Sequence, residues 1–182
     1  MDVIIQTTKP ACVLRRWRPA DKPSLLSNAN NRNVWRNLTD MFPHPYTKAD
    51  AENWLQIATD DGRSVHLAIE YRDQAIGGIG AIAEDGIYRQ TARLGYWLGE
   101  PHWGQGIATA AVTALLSYLD QAHSFARLQA AVFEWNPASM RVLEKCGFTR
   151  EGVLRSSVTK DGHLIDCVMY ARITGTGRSR VP

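Results

Sequence analysis

The segment Leu94-Gly-Tyr-Trp-Leu-Gly-Glu-Pro-His-Trp103-Gly104-Gln105-Gly106-Ile107-Ala108-Thr109 constrains this chain more than any other. The run from Thr91 to Leu98 predicts a strand. The run from Ile107 to about Ala122 predicts a helix that is apolar nearly all round, and so buried on more than one side. A strand therefore passes through a glycine-bearing turn straight into a buried helix. The first four N–H groups of any helix lack internal partners, and the helix dipole adds roughly half a positive charge there. Gly104 and Gly106 permit the turn and let a ligand reach the backbone, while Ala108 keeps the first helical turn free of bulk. The combination suits a phosphate or pyrophosphate. Taken alone, the same glycines need mean no more than a tight turn. The Walker pattern is absent, and Gly104-x-Gly106-x-x-Thr109 lacks the third small residue of a dinucleotide fingerprint. Gly78-x-Gly80-x-x-Ala83 matches on paper but lies in a strand that runs into a turn rather than a helix.

Periodicity fills in the rest. Cys12 to Trp17 predicts a first strand, and Asp21 to about Asn30 a short helix that Asp21 could cap. The segment from Asn30 to Tyr46 is irregular. Thr47-x-x-Asp50 opens a helix as a capping box, with Ala51, Trp54, Leu55 and Ala58 on one apolar face. Val65 to Tyr71 and Ala75 to Ala83 predict a hairpin joined at Arg72-Asp73-Gln74. Leu128 to Phe133 predicts an interior strand. Asn136 to Cys146 predicts a helix with Asn136 as N-cap, Pro137 in its first position and Gly147 as its stop. Val153 to Thr159 and Ile165 to Ile173 predict the last strands, with Lys160-Asp161-Gly162 as the turn. The expected fold is α+β, a mixed and largely antiparallel sheet of about seven strands with about four helices. A single domain over 1–173 and a flexible Gly-rich tail over 174–182 are expected.

Net charge is +3. Basic and acidic groups number nine and seven in residues 1–63, three and four in 64–99, and nine and seven in 100–182. No segment concentrates positive charge, so no nucleic-acid partner is expected. Cys12, Cys146 and Cys167 have no ligand spacing, which predicts inert thiols and no metal site. The apolar run at the start is too short for a secretory segment. The uncharged stretch from Pro101 to Leu119 is interrupted by Pro, His, Gln and Gly. It predicts a buried helix in a cytoplasmic protein, not a membrane span.

A second constellation is Asn136-Pro-Ala-Ser139-Met-Arg-Val-Leu-Glu-Lys-Cys-Gly147-Phe148. By itself it is a capped helix. Together with W-G-x-G-x-A-T at Trp103–Thr109, in this order and separation, it resembles the GCN5-related N-acetyltransferase (GNAT) family. The likeness is to the branch that acetylates α-amino groups of ribosomal proteins and small amines, and it covers roughly Leu14 to Ile173. Relatives often carry Glu where this chain has Arg93 and Ala110, so an acid is missing from two usual places.

The resemblance implies acetyl-CoA as cosubstrate, held in a cleft where the fourth and fifth expected strands splay apart. It implies main-chain pairing of Trp97, Leu98 and Gly99 with the pantetheine arm. The pyrophosphate would lie on the loop Trp103, Gly104, Gln105, Gly106, Ile107, Ala108 and Thr109. Asn136 would reach the cofactor arm, and Ser139 would lie beside the sulfur, where its hydroxyl could hydrogen-bond the leaving group. Tyr170 is a second donor candidate, and Glu134, with Glu70 and Asp166, a candidate base. The acceptor wall is expected from Trp35, Phe42 and Tyr46, with Pro43 and Pro45. The implied activity is acetyl transfer from the thioester to a primary amine by direct attack. A catalytically weak acyl-CoA-binding sensor or interaction module is the alternative, supported only by the missing acids. The acceptor, a peptide N-terminus or a small amine, and any homodimer are left open.

Overall fold

A computed structural model describes residues 4–58 and 63–175. Eight strands and five α-helices alternate along them: β1 (Ile4–Gln6), β2 (Val13–Arg16), α1 (Lys22–Ala29), α2 (Arg32–Trp35), α3 (Lys48–Ile57), β3 (Val65–Tyr71), β4 (Gln74–Ala83), β5 (Thr91–Leu98), α4 (Ile107–Ala122), β6 (Arg127–Phe133), α5 (Pro137–Lys145), β7 (Thr149–Lys160) and β8 (His163–Ile173). They form one sheet in the order β1-β2-β3-β4-β5-β6-β8-β7. Every neighbouring pair is antiparallel except β5 and β6.

The expected mixed, largely antiparallel α+β sheet is present, with two additions. β1 is too short for a period to show in sequence, and it exists because β2 offers it a ladder, Ile5 opposite Leu14. α2 is a single turn held by the Asn31 side chain, which accepts from the N–H groups of Asn33 and Val34. β7 also begins at Thr149 rather than Val153. Its polar, exposed start carries no alternation and is strand only because β8 pairs with it.

The turns follow from their residues. Arg72 and Asp73 adopt φ of 51° and 60°, and Asp161 and Gly162 of 54° and 77°, which gives two-residue hairpins of matching twist. Thr47 and Asp50 form the expected capping box on α3. Asp21 precedes α1 but does not cap it. Its carboxylate binds the buried Arg15 guanidinium through two contacts of 2.7 Å and accepts the Arg18 N–H at 2.8 Å. Of the expected tail, Thr174 is tied down: its N–H donates to Ala126 O at 3.1 Å and its hydroxyl to Phe125 O. Residues 176–182 lie outside the described residues.

α4 and α5 cover one face of the sheet. Ile107, Ala111, Val112, Leu115 and Leu119 pack there on Leu14, Leu67, Leu94, Leu98 and Leu128. α1 and α3 cover the other, where Leu25, Ala29, Tyr46 and Ala51 gather Trp17, Phe42, Trp54 and Trp97 around them. Truncating a fully buried leucine such as Leu115 costs about 2–5 kcal/mol in such cores. Among the described residues no helix is long and apolar enough to cross a membrane.

Candidate active site

The parallel ladder between β5 and β6 holds only three pairs, from Thr91 opposite Arg127 to Arg93 opposite Gln129. Beyond it β5 runs on to Leu98 and β6 to Phe133, each still paired on its outer side, to β4 and β8. The strands part, and a wedge opens toward their C-terminal ends. α4 follows β5, so its N-terminus lies at the wedge's mouth. Gly104 and Gly106 take φ of 72° and 79°, a region where other residues pay for their Cβ. Gly106 is the N-cap of α4 and supplies no side-chain cap. Its carbonyl accepts the Ala110 N–H at 3.0 Å, which leaves the first-turn N–H groups of the helix facing outward. The loop is braced from within, as Trp103 Nε1 donates to Leu98 O and Gln105 Nε2 to Pro101 O, both at 2.9 Å.

Strand alternation decides which main-chain groups reach the wedge. Gly99 N–H donates to Ile76 O at 2.8 Å, and Thr91 O accepts from Glu84 N–H at 2.9 Å. The β4–β5 register between them is unbroken. Odd-numbered residues therefore turn their main chain to β4, and Tyr96 and Leu98 turn theirs to the wedge. On the other side of the opening Asn136 caps α5, its Oδ1 accepting the Ser139 N–H at 3.1 Å.

A wedge between splayed strands with an uncapped, glycine-led helix at its mouth now stands beside a match of residues 12–149 to the acetyltransferase (GNAT) domain model. The chain belongs to the GNAT acetyltransferase family. It is 37% identical over 111 residues to the N-acetyltransferase YoaA of Bacillus subtilis, covering 60% of this chain and 62% of that one. It is 37% identical over 84 residues to the ribosomal-protein-serine acetyltransferase of Escherichia coli, 46% of this chain and 47% of that one. The chain thus spans less than two thirds of these relatives. The ribosomal L7/L12 α-N-protein acetyltransferase RimL, solved with coenzyme A, shares the fold with a TM-score of 0.81. It is 24% identical, over 93% of this chain and 97% of that one.

Within this GNAT domain the expected site residues separate. The loop from Trp103 to Thr109 is at the mouth of the wedge, and Asn136 and Ser139 are on its far wall. Ile107 buries its side chain, so only its main chain is available to a ligand. Of Trp97, Leu98 and Gly99, only Leu98 turns its main chain to the wedge, and Tyr96 joins it in place of the other two. The Trp97 indole lies on the opposite sheet face against Phe42, ring centroids 5.3 Å apart. Gly78 makes room for it: a Cβ there would sit 2.7 Å from Trp97 Nε1.

The expected catalytic trio is not one group. Tyr170 is 1% exposed, because β8 alternation puts it under α5, and its hydroxyl donates to Glu144 at 2.7 Å. Burial, followed by the Glu144 carboxylate, raises its pKa. Glu134 and Tyr170 line an open cavity of about 420 Å³ with Met140, Glu144, Arg150 and Asp166. Ser139 is not among its lining residues. Glu134 Oε1 accepts the Asp166 N–H at 3.1 Å, Asp166 Oδ1 accepts the Ser156 N–H at 2.8 Å, and Glu70 is held by Arg15 at 2.5 Å. All three candidate bases therefore have structural partners. Arg93 is paired with Glu84 at 2.7 Å.

The acceptor wall divides as well. Tyr46 is 5% exposed, packed 5.0 Å from Phe42, and burial lifts its pKa to about 12, with Asp50 adding to the shift. It is core rather than wall. Trp35 points the other way. The ammonium of Lys160, itself 1% exposed, sits 3.7 Å from the Trp35 ring centroid and 2.6 Å from Asp40 Oδ1. The segment from Asn30 to Tyr46 thereby spans the wedge. Phe42 touches β5 at Trp97, Asn31 and Asn33 donate to Glu100 at 2.8 and 2.9 Å, and Trp35 grips the end of β7. Arg36 adds a contact 5.1 Å over Trp135.

Four participants escaped the sequence reading: Tyr96, Glu100, Trp135 and Lys160. Only Tyr96 carried a signal. It alternates with Leu94 and Leu98 on a core face, where a tyrosine hydroxyl needs a partner.

Proposed function

We propose that this GNAT chain is an acetyl-CoA-dependent N-acetyltransferase that modifies the α-amino group of a protein or peptide in the cytoplasm. The observation that carries the reading is the wedge between β5 and β6 with the uncapped N-terminus of α4 at its mouth. The cosubstrate supplies a thioester as electrophile. The N–H groups from Gly104 to Thr109 would hold its pyrophosphate. The wedge-facing main chain of Tyr96 and the N–H of Leu98 would pair with its arm as an added strand does, the Leu98 carbonyl being taken by Trp103.

The chain's own contribution is mostly positioning. Leu98 N–H faces the wedge and suits the developing oxyanion, a contact worth roughly 10²–10³ in rate. Ser139, fixed at the third position of α5 by Asn136, would give its hydroxyl to the departing sulfur. Trp35, Phe42 and Trp135 would border the acceptor from the opposite face. Glu70, Glu134 and Asp166 each already serve a structural contact, and in this reading the amine arrives neutral and its proton leaves to water. That favours α-amines, as does the likeness to a relative named for acting on a ribosomal protein.

The test has two arms. Calorimetry with acetyl-CoA is expected to show binding, and a panel of amines is expected to release free thiol with N-terminal peptides ahead of lysine. Binding without thiol release from any amine would favour the sensor alternative; no binding would remove the reading altogether.

A further inference from the structure

Among the groups facing the wedge, one pairing is not accounted for by binding alone. Tyr96 and Ser139 are 43 residues apart and sit on opposite walls, yet the Tyr96 hydroxyl lies 2.8 Å from Ser139 Oγ and 3.1 Å from Ser139 O. We propose that Tyr96 is the positioning residue for Ser139, orienting its hydroxyl proton into the wedge toward the leaving sulfur.

The argument is one of donors. A serine hydroxyl has one proton and two lone pairs. If that proton is to reach the sulfur, the other contact of Ser139 Oγ has to be a donor to it. The Tyr96 phenol has a single proton and two acceptors within reach, Ser139 Oγ at 2.8 Å and Ser139 O at 3.1 Å, and it is the nearer of the two that has to receive the proton. Burial raises the phenol's pKa above the ordinary tyrosine value, the contact with Ser139 opposes that rise, and the neighbouring Cys146 adds to it. It therefore stays protonated wherever the enzyme works. Two constraints fix the geometry from either side. Asn136 Oδ1 holds the Ser139 N–H at 3.1 Å, and Tyr96 is set by the unbroken β4–β5 register, opposite Ile79. The contact also links β5 to α5 where the strands no longer pair, so the sulfur's partner is placed relative to both walls at once. No proton need leave Tyr96: the amine nitrogen bonds the acetyl carbon, the carbon–sulfur bond breaks, the sulfur departs as a thiolate hydrogen-bonded by Ser139, and the amine's proton goes to solvent.

This rests on the proposed role of Ser139, and the experiment separates the two. Tyr96→Phe, Ser139→Ala and the double variant are compared for kcat, KM and acetyl-CoA affinity. Tyr96→Phe keeps the ring and removes only the hydroxyl. It is expected to lower kcat about tenfold, the size of one neutral hydrogen bond, with acetyl-CoA Kd within about twofold of the parent. Ser139→Ala is expected to lower kcat at least as much, and the double variant no further. Equal and multiplying losses in the double variant would mean that Tyr96 acts independently of Ser139 and would overturn the proposal. So would a Tyr96→Phe enzyme of parental kcat, or one whose loss lies wholly in acetyl-CoA affinity. A Ser139→Ala enzyme of parental kcat would instead overturn the role of Ser139, and this proposal with it.

Discussion

The two sides of the wedge are built on different principles. The side proposed for the cosubstrate is made of main chain: an αL glycine, an uncapped helix and a strand edge, all within Tyr96 to Thr109. The side proposed for the acceptor is made of side chains drawn from distant places, with Trp35 on Lys160, Phe42 on Trp97 and Arg36 over Trp135. Main-chain recognition is insensitive to most substitutions but is lost when a glycine is lost. Side-chain recognition can be retuned piece by piece. On the proposed reading, the difference lets one loop serve a common cosubstrate while the facing segment is free to select the acceptor.

The largest expected effect breaks the cofactor side alone. Gly106→Glu places a carboxylate on the proposed anion site and a Cβ at positive φ, and should remove detectable acetyl-CoA binding in calorimetry. Gly106→Ala carries only the strain, about 1–2 kcal/mol. If it weakens binding as much as the glutamate does, charge is not the cause.

The next effect sharpens the account of the acceptor side. At pH 7.5 a lysine amine with pKa near 10.4 is about 0.1% neutral, whereas an α-amine of pKa about 7.7–8.0 is substantially so. Turnover of an N-terminal peptide should exceed that of a lysine analogue by several hundred-fold. kcat/KM should rise with pH through the amine's own pKa and then level off. A rising limb that stays in place when the amine is changed would reveal an enzyme base.

A smaller effect tests whether the two sides are separable. Lys160→Met removes a buried charge whose partner Asp40 is exposed, so the fold should tolerate it. Losing the cation–π grip on Trp35 should loosen the 30–46 segment and raise the acceptor KM about tenfold, leaving acetyl-CoA Kd unchanged. A parallel loss of cofactor affinity would show that the sides are coupled. The smallest effect concerns the far wall. Asn136→Ala should lower stability by about 1 kcal/mol through the lost cap, read by denaturant midpoint.

The turn and helix proposed for the cosubstrate were legible as structure because their signal is local. Glycine spacing, a strand before the turn and an apolar helix after it lie in one stretch, and the capped helix at Asn136 is equally self-contained. The same local reasoning went astray wherever a side chain had two ways to turn. Asp21 looks like a cap until Arg15 claims it, and Tyr46 looks like a wall until it is found in the core. Tyr170 looks like a donor at the wedge, but its hydroxyl is spent on Glu144.

The sequence by itself determined the order of the longer elements, the two hairpin turns and the glycine turn that opens α4, because dihedral preference, capping and alternation act over a few residues. Only the tertiary structure decided which strand edges stay unpaired. The β5–β6 ladder stops after Arg93, and nothing in either strand's own composition says so. It also decided which distant side chains meet there. Tyr96 with Ser139, Lys160 with Trp35 and Glu100 with Asn31 are separated by 43, 125 and 69 residues. Such contacts depend on how the whole sheet is ordered, which no local preference encodes.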